Sequence, residues 1–381
     1  MTPDEPMNGL YVHIPFCRSK CGYCAFVSFP IKNSAPGSYL TALYKEIDFW
    51  SKRVQDDKFG SLFIGGGTPT ILSTAELTEL LTVLKDKFAF SATAEITIES
   101  NPNTVDLAKL TELRKNGVNR LSIGIQSFSD QTLRLIERSH TVAEGIEAAY
   151  LARQAGFENL NLDLIYGLPG QTIAEWQDTL GEALALKPDH LSAYQLSIDR
   201  GSRFAEKVEQ GNLQLPDDDQ VAIMAEDTLA IMSSTPLERY EISNYARPGH
   251  RCRHNLIYWH NGSYLGLGAG AVANWSGLRI RNTPNPKLYA KRLLNSETAW
   301  LETEALPREA SFRETVVMGL RLPKGIDLNS LQERFDLDPE EYYGEILQTL
   351  TRRKMIEIVA GRLRLTEAAL PFANQALGEL V

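Results

Sequence analysis

Cysteine is scarce in this chain, with four residues in 381, and no run of about 18 apolar residues occurs anywhere. Basic charge is scarce too: 39 Lys and Arg stand against 48 Asp and Glu, a formal net charge of -9. Each shortage excludes something. Four cysteines without a secretory leader do not make a disulfide scaffold, and closely spaced thiols in a reducing compartment bind metal instead. The missing apolar run excludes a transmembrane helix, so a cytoplasmic protein is expected. The acidic balance argues against a nucleic-acid partner gripped through its phosphates, which needs a basic face. A second C-x2-C or an H-x3-H pair is also missing, and a four-ligand structural zinc site needs one. What remains, 43% hydrophobic and 23% charged residues, is an ordinary globular composition with material for a large core. The length allows two or three domains, or one α/β barrel taking most of the chain.

Three of the four cysteines, Cys17, Cys21 and Cys24, fall within eight residues. Three thiolates at C-x3-C-x2-C spacing on a short loop can hold three irons of a [4Fe-4S] cube and leave the fourth open. An open iron can take the amino and carboxylate groups of S-adenosylmethionine, and an electron from the cluster can then split the sulfonium to a 5′-deoxyadenosyl radical. The spacing resembles the signature of the radical SAM superfamily. A plain electron-transfer iron–sulfur protein is the blander alternative.

From residue 10 to about 200, short apolar runs alternate with longer amphipathic ones, the pattern of repeated βα units on a parallel sheet. Strands are expected at Leu10 to Ile14, Ser61 to Ile64, Glu95 to Glu99, Arg120 to Ile125, Leu160 to Ile165 and His190 to Leu196. Helices are expected at Ser38 to Lys52 and Thr141 to Ala155. Six such units make an α/β fold with an incomplete (βα)6 barrel, whose chemistry gathers at the C-terminal strand ends. Gly65, Gly66 and Gly67 follow the second strand, where bare backbone lets a ligand approach closely. Glu99 ends the third strand, either reaching a ligand or capping the following turn. Gln126 ends the fourth with an amide able to donate and accept. Asp163 sits alone among apolar neighbours and wants a partner, which Arg138 in Glu-Arg-Ser-His140 can supply, with or without a ligand.

Together Tyr11-Val-His-Ile-Pro-Phe-Cys17, Gly65-Gly-Gly-Thr-Pro69, Glu99-Ser-Asn-Pro102, Ser122-Ile-Gly-Ile-Gln-Ser-Phe128 and Asp163-Leu-Ile-Tyr-Gly-Leu-Pro-Gly170 resemble the family of oxygen-independent coproporphyrinogen III oxidase and its relatives. The resemblance implies that Phe26, Gly66, Gly67, Thr68, Glu99, Gln126, Arg138 and Asp163 line an S-adenosylmethionine site, with Tyr11 beside the cluster and Ile165 against the adenine. Within the family the chain resembles the branch of HemW-type heme chaperones. Phe26 stands where the oxidase cysteine loop has a further cysteine, and about nine residues precede the first strand, too few for an oxidase's substrate-covering arm. The run His254-Asn-Leu-Ile-Tyr258-Trp259 resembles that branch's heme-binding motif. A neutral imidazole is a good heme ligand and rings can stack on a porphyrin, although His254 could equally order its loop. Cys252 reads as a free thiol, and His13 either meets a cluster sulfide or serves the fold.

The resemblance implies a [4Fe-4S] cluster, S-adenosylmethionine and heme as cofactors. Its implied partners are heme-acceptor proteins, respiratory ones among them, reached by peripheral membrane association, and a reductant for the cluster. The alternative is a catalytic radical SAM enzyme, a coproporphyrinogen III decarboxylase or a C-methyltransferase. Residues 1–200 are expected to form the barrel, 201–305 an extension with the heme motif, and 306–381 a small winged-helix-like domain. That last segment holds ten Lys and Arg against twelve Asp and Glu, so it suits packing on the barrel or a partner better than DNA.

Overall fold

The computed structural model describes residues 8–33, 36–200 and 202–381. Six strands, β1 (Asn8–Ile14), β2 (Lys58–Gly66), β3 (Ala89–Ser100), β4 (Arg120–Gln126), β5 (Leu160–Tyr166) and β6 (His190–Gln195), lie side by side in chain order. All are parallel. A parallel sheet covered on both faces demands near-continuous apolar strands, and in β4 Leu121, Ile123 and Ile125 are all fully buried. The connections carry α1 (Pro36–Ser51), α2 (Thr74–Lys87), α3 (Leu107–Lys115), α4 (Asp130–Leu135), α5 (Val142–Gln154) and α6 (Ile173–Ala185). Three of these start on reciprocal caps, Ser73 with Glu76, Thr141 with Glu144 and Thr172 with Glu175. Helix α6 turns Trp176, Leu180 and Ala183 to the core at helical spacing.

The sheet then grows at both edges. On one side β8 (Asn244–Ala246) pairs antiparallel with β6 and carries β7 (Glu238–Arg239). On the other, β9 (Tyr264–Leu267) pairs parallel with β1, followed by β10 (Val272–Trp275), β11 (Leu278–Asn282) and β12 (Trp300–Ala305). The order β12-β11-β10-β9-β1-β2-β3-β4-β5-β6-β8-β7 leaves the barrel open. The strands between residues 238 and 305 are therefore sewn into the barrel sheet: Leu265, Leu267 and Tyr289 share one core with Leu10, Leu62 and Leu162. Glu46 of α1 fastens this join. It is buried and accepts from Gly268 N (2.8 Å), Asn282 Nδ2 (2.7 Å) and Tyr289 Oη (2.5 Å).

The C-terminal segment has its own core, built on Phe312, Val316, Leu350 and Leu363. Helices Arg308–Gly319, Leu328–Phe335 and Glu345–Arg352 precede the hairpin Ile356–Val359 with Arg362–Leu365, and Ile326–Asp327 adds a third strand, a winged-helix-like plan. It docks on the barrel through the helix Arg253–Trp259 and the turn after it. Asn261 donates to Thr315 (2.9 Å), Arg334 donates to the Asn261 carbonyl (3.0 Å), and the Arg321 guanidinium lies 4.6 Å from the Trp259 ring. Among the described residues no helix is long and apolar enough to cross a membrane.

Two glycines test this packing. A Cβ on Gly266, in β9, would run into the Val272 carbonyl, which is backbone and cannot yield, whereas one on Gly181 in α6 meets nothing within 4 Å. In urea unfolding, Gly266→Ala is expected to cost at least about 2 kcal/mol. Gly181→Ala should gain about 0.5–1 kcal/mol.

Candidate functional site

The C-terminal ends of β1 to β6 and the loop after β1 enclose a cavity of about 350 Å³. Its wall carries Cys17, Cys21 and Cys24 together with Phe26, Gly66, Gly67, Thr68, Glu99, Gln126, Arg138, Asp163 and Ile165. Residues separated by more than a hundred positions in the chain are thus brought to one place.

The cysteine loop is fixed from several sides. His13 bonds the Val27 carbonyl through Nε2 (2.8 Å) and the Tyr11 hydroxyl through Nδ1 (2.9 Å), so both ring nitrogens serve the fold. Tyr11 lies below the cavity, off its wall, against Phe63 and His254. Gly22 has no room for a Cβ because the Phe204 ring fills the space. Gly67 is equally constrained: its N–H donates to the Ile14 carbonyl (2.9 Å), and a Cβ would stand 2.9 Å from Cys17 Sγ. The Thr68 hydroxyl donates to Cys17 Sγ (3.6 Å) and an Arg138 N–H to Cys21 Sγ (3.7 Å). Burial raises the Cys17 thiol pKa, and the Thr68 bond opposes it.

Of the remaining wall residues, Glu99 and Gln126 lie at strand ends, Asp163 inside β5 and Arg138 in the turn after α4. Glu99 accepts from the Gly66 N–H (3.0 Å), bracing the glycine turn and capping no helix. Gln126 has φ of 71°, a left-handed backbone unusual for a residue with a side chain, where the β4–β5 register slips between Gly124 and Gln126. Such a bulge re-aims a side chain at the end of a strand. Arg138 and Asp163 form no ion pair. Arg138 donates instead to the Gly124 carbonyl (2.5 Å), and its buried Nε has no partner. Asp163 is held by Ser122 Oγ (2.9 Å) and Asn161 Nδ2 (2.8 Å).

Sequence reasoning missed two aromatic side chains of this wall, Tyr23 and Tyr194. Tyr23 stands between the second and third cysteines, a position that could have been noticed. Phe26, by contrast, is 70% exposed on the rim. The structure also leaves His254 away from the cavity. It is 1% exposed, with Nδ1 bonded to Ser61 Oγ (2.8 Å) and Nε2 to the Tyr258 hydroxyl (2.9 Å). Burial and the Arg120 charge lower its pKa to about 3. In this conformation both ring nitrogens are engaged, the arrangement of an imidazole that orders its loop. Cys252 is a free thiol as expected, but fully buried, with burial raising its pKa to about 12.

The thiol donors suit an iron–sulfur group better than a single metal ion. Among the described residues no three His, Cys, Asp or Glu side chains converge as ligands of a single ion. Three separate thiols on one loop, a guanidinium beside one of them and a glycine turn pressed against another fit the corners of a larger cluster. The orphaned Arg138 Nε is a group that a polar ligand would satisfy.

Glu99 makes the site sensitive to pH. Burial and the charge of Asp163 raise its carboxyl from 4.5 to about 8, against the Gly66 hydrogen bond. Between those values the folded protein keeps a proton that the unfolded chain has released. The stability tied to Glu99 is thus complete below about 4.5 and is lost as pH rises through about 8. In cofactor-free protein, urea unfolding at pH 5 and pH 8 should show a fall on the order of a few kcal/mol that Glu99→Gln flattens.

Residues 11–183 match the radical SAM superfamily and residues 306–372 the HemN C-terminal domain. The heme chaperone HemW of Bacillus subtilis (strain 168) is 34% identical over 374 residues, covering 98% of each chain. That of Escherichia coli (strain K12) is 40% identical over 267 residues, 70% of each. Among solved structures, the coproporphyrinogen III oxidase HemN from Escherichia coli, a radical SAM enzyme, matches with a TM-score of 0.87 at 26% identity, over 99% of this chain and 90% of its own. Matched by both domain models and by curated HemW proteins over nearly its whole length, the chain belongs to the radical SAM superfamily and, within it, to the HemW family.

Proposed function

We propose that this protein is a cytoplasmic heme chaperone that binds a [4Fe-4S] cluster, S-adenosylmethionine and heme and passes heme to acceptor proteins, respiratory ones among the candidates. The observation that carries the reading is the end-to-end similarity to proteins named heme chaperones, 34% identity across 98% of the chain. Cys17, Cys21 and Cys24 would hold the cluster. Gly66, Gly67, Thr68, Glu99, Gln126, Arg138, Asp163 and Ile165, with Phe26 at the rim, would hold S-adenosylmethionine. When bound, the cluster supplies an electron to the sulfonium. The chain's own contribution is positional. Arg138 sets a positive charge beside Cys21, Glu99 holds the glycine turn open, and Ser122 and Asn161 fix the Asp163 carboxylate for a ligand to meet. Tyr11 acts through His13 on the loop, one layer below. A reductant for the cluster and acceptors at a membrane surface would be partners, and no nucleic acid would be.

The likeness to a coproporphyrinogen oxidase at a TM-score of 0.87 favours a second reading, a porphyrinogen decarboxylase. Product analysis separates the two. Anaerobic cluster-loaded protein with S-adenosylmethionine and coproporphyrinogen should give no decarboxylated porphyrinogen, and steady conversion would favour the enzyme. The same protein titrated with heme should saturate near one heme per chain and lose it to an apo-acceptor, whereas unsaturable binding would overturn the chaperone reading. His254→Ala should keep that stoichiometry while losing about 1–3 kcal/mol of stability, because Ser61 and Tyr258 are left without a partner.

A further inference from the structure

A second cavity, of about 180 Å³, lies where the edge of the barrel sheet meets the C-terminal domain. Strands β5 to β8 form one side, the helix Asp218–Ser233 a second, and Arg321 with the segment Leu370 to Asn374 a third. It shares Tyr194 and Gln195 with the cofactor cavity but no residue of the cysteine loop. Its charge is one-sided. Arg239 from the sheet edge and Arg321 from the C-terminal domain both stand on the wall, and no Asp or Glu does. In a chain of net charge -9, two cations thus face one space with no anion in it.

Both guanidiniums are held in place, yet neither is satisfied. Arg239 donates to the carbonyls of Glu241 (3.2 Å) and Ile242 (2.7 Å), which fixes the group and leaves Nη1 without a bond among the described residues. Arg321 lies against the Trp259 ring, and its buried Nε has no partner. Glu241, off the wall, accepts from the Ser243 N–H (2.8 Å) and Asn244 Nδ2 (2.5 Å). Burial raises its carboxyl pKa, with the Arg321 charge only partly opposing, so it is a weak counterion for that arginine. The hydroxyls of Tyr166 and Tyr245, on the same wall, have no hydrogen-bond partner among the described residues. Burial raises Tyr166 to about 12 and Tyr245 likewise, against the Arg239 charge, so both phenols keep their protons as donors.

We propose that this cavity binds a small dianion, phosphate or a short dicarboxylate, between Arg239 and Arg321, with the Tyr166 and Tyr245 hydroxyls as further donors. The volume lies below the roughly 300–1,000 Å³ of drug-sized sites, which limits the occupant to a group of a few heavy atoms. A guanidinium is a planar fork of donors that matches a carboxylate or phosphate, and two of them match two negative charges. One arginine comes from each unit, so the anion also fastens the C-terminal domain to the barrel. It adds to the contacts that Asn261 makes with Thr315 and Arg334. Since the ligand needs both units docked, its binding raises the stability of the folded chain in proportion to its occupancy.

The test is calorimetric titration and thermal unfolding of anaerobic cluster-loaded protein in phosphate, succinate, acetate or chloride at one fixed ionic strength. Phosphate or succinate should bind saturably near one per chain and raise the unfolding midpoint, and acetate and chloride should do neither. Which of the two binds tighter identifies the source of the dianion. Arg321→Gln, at a side chain that makes no hydrogen bond among the described residues, should abolish the rise while keeping the cluster absorbance. Tyr245→Phe removes one hydroxyl and should weaken binding on the order of tenfold. If neither dianion binds the unaltered protein, or if chloride raises the midpoint equally, the proposal is overturned. It is overturned too if both variants bind the dianion as the unaltered chain does.

Discussion

Hydrogen bonding between neighbouring parallel strands forces β1 to β6 to point one way, and everything chemical in this molecule follows from that. The loops leaving their C-terminal ends must crowd together, so Cys17, Gly66, Glu99 and Gln126, at strand ends or in the loop beyond, and Asp163, inside β5, face one space. The constraint is geometric before it is chemical. A backbone slip at Gln126 and a glycine without room for a methyl at Gly67 are adjustments within it.

Behind the site runs a polar seam through the barrel interior. Asp163 is held by Asn161, whose carbonyl meets His190 Nδ1 (2.6 Å), and His190 Nε2 bonds the Tyr240 hydroxyl (2.7 Å). That hydroxyl accepts from Cys252 N (3.3 Å), and Glu95 accepts from the N–H groups of Arg253 (3.1 Å) and His254 (3.2 Å). A carboxylate at a helix N-terminus is well placed against the orphan N–H groups there. The segment Tyr240–Ala246 is therefore the joint through which β6, β8 and the helix Arg253–Trp259 are locked.

Much of the barrel was legible because its signal is local. The apolar runs at Leu10, Arg120 and Leu160 became strands within a residue or two at each end, since their alternate apolar residues are buried throughout. The third strand began six residues earlier than expected, at Ala89, because its first half, Ala-Phe-Ser-Ala-Thr-Ala, is mostly exposed and carries no strong apolar alternation. Pairing at a distance was not legible. No periodicity announces that β9 lies beside β1, or that Asp163 takes Ser122 and Asn161 in place of Arg138. The residue types at His254 suit iron and suit a hydrogen-bonded core equally, and only burial separates the two.

Arg120 lies almost wholly inside the barrel, 2% exposed, its charge facing Glu95, Asp163, Cys252 and Tyr240. With burial it pushes His190 far below the usual imidazole range and His254 to about 3, while burial likewise lowers His13, and His140 falls to about 4. Four imidazoles are thereby biased toward the neutral form, while burial pushes two carboxyls the opposite way on the scale, Glu46 up to about 7 and Glu99 up to about 8.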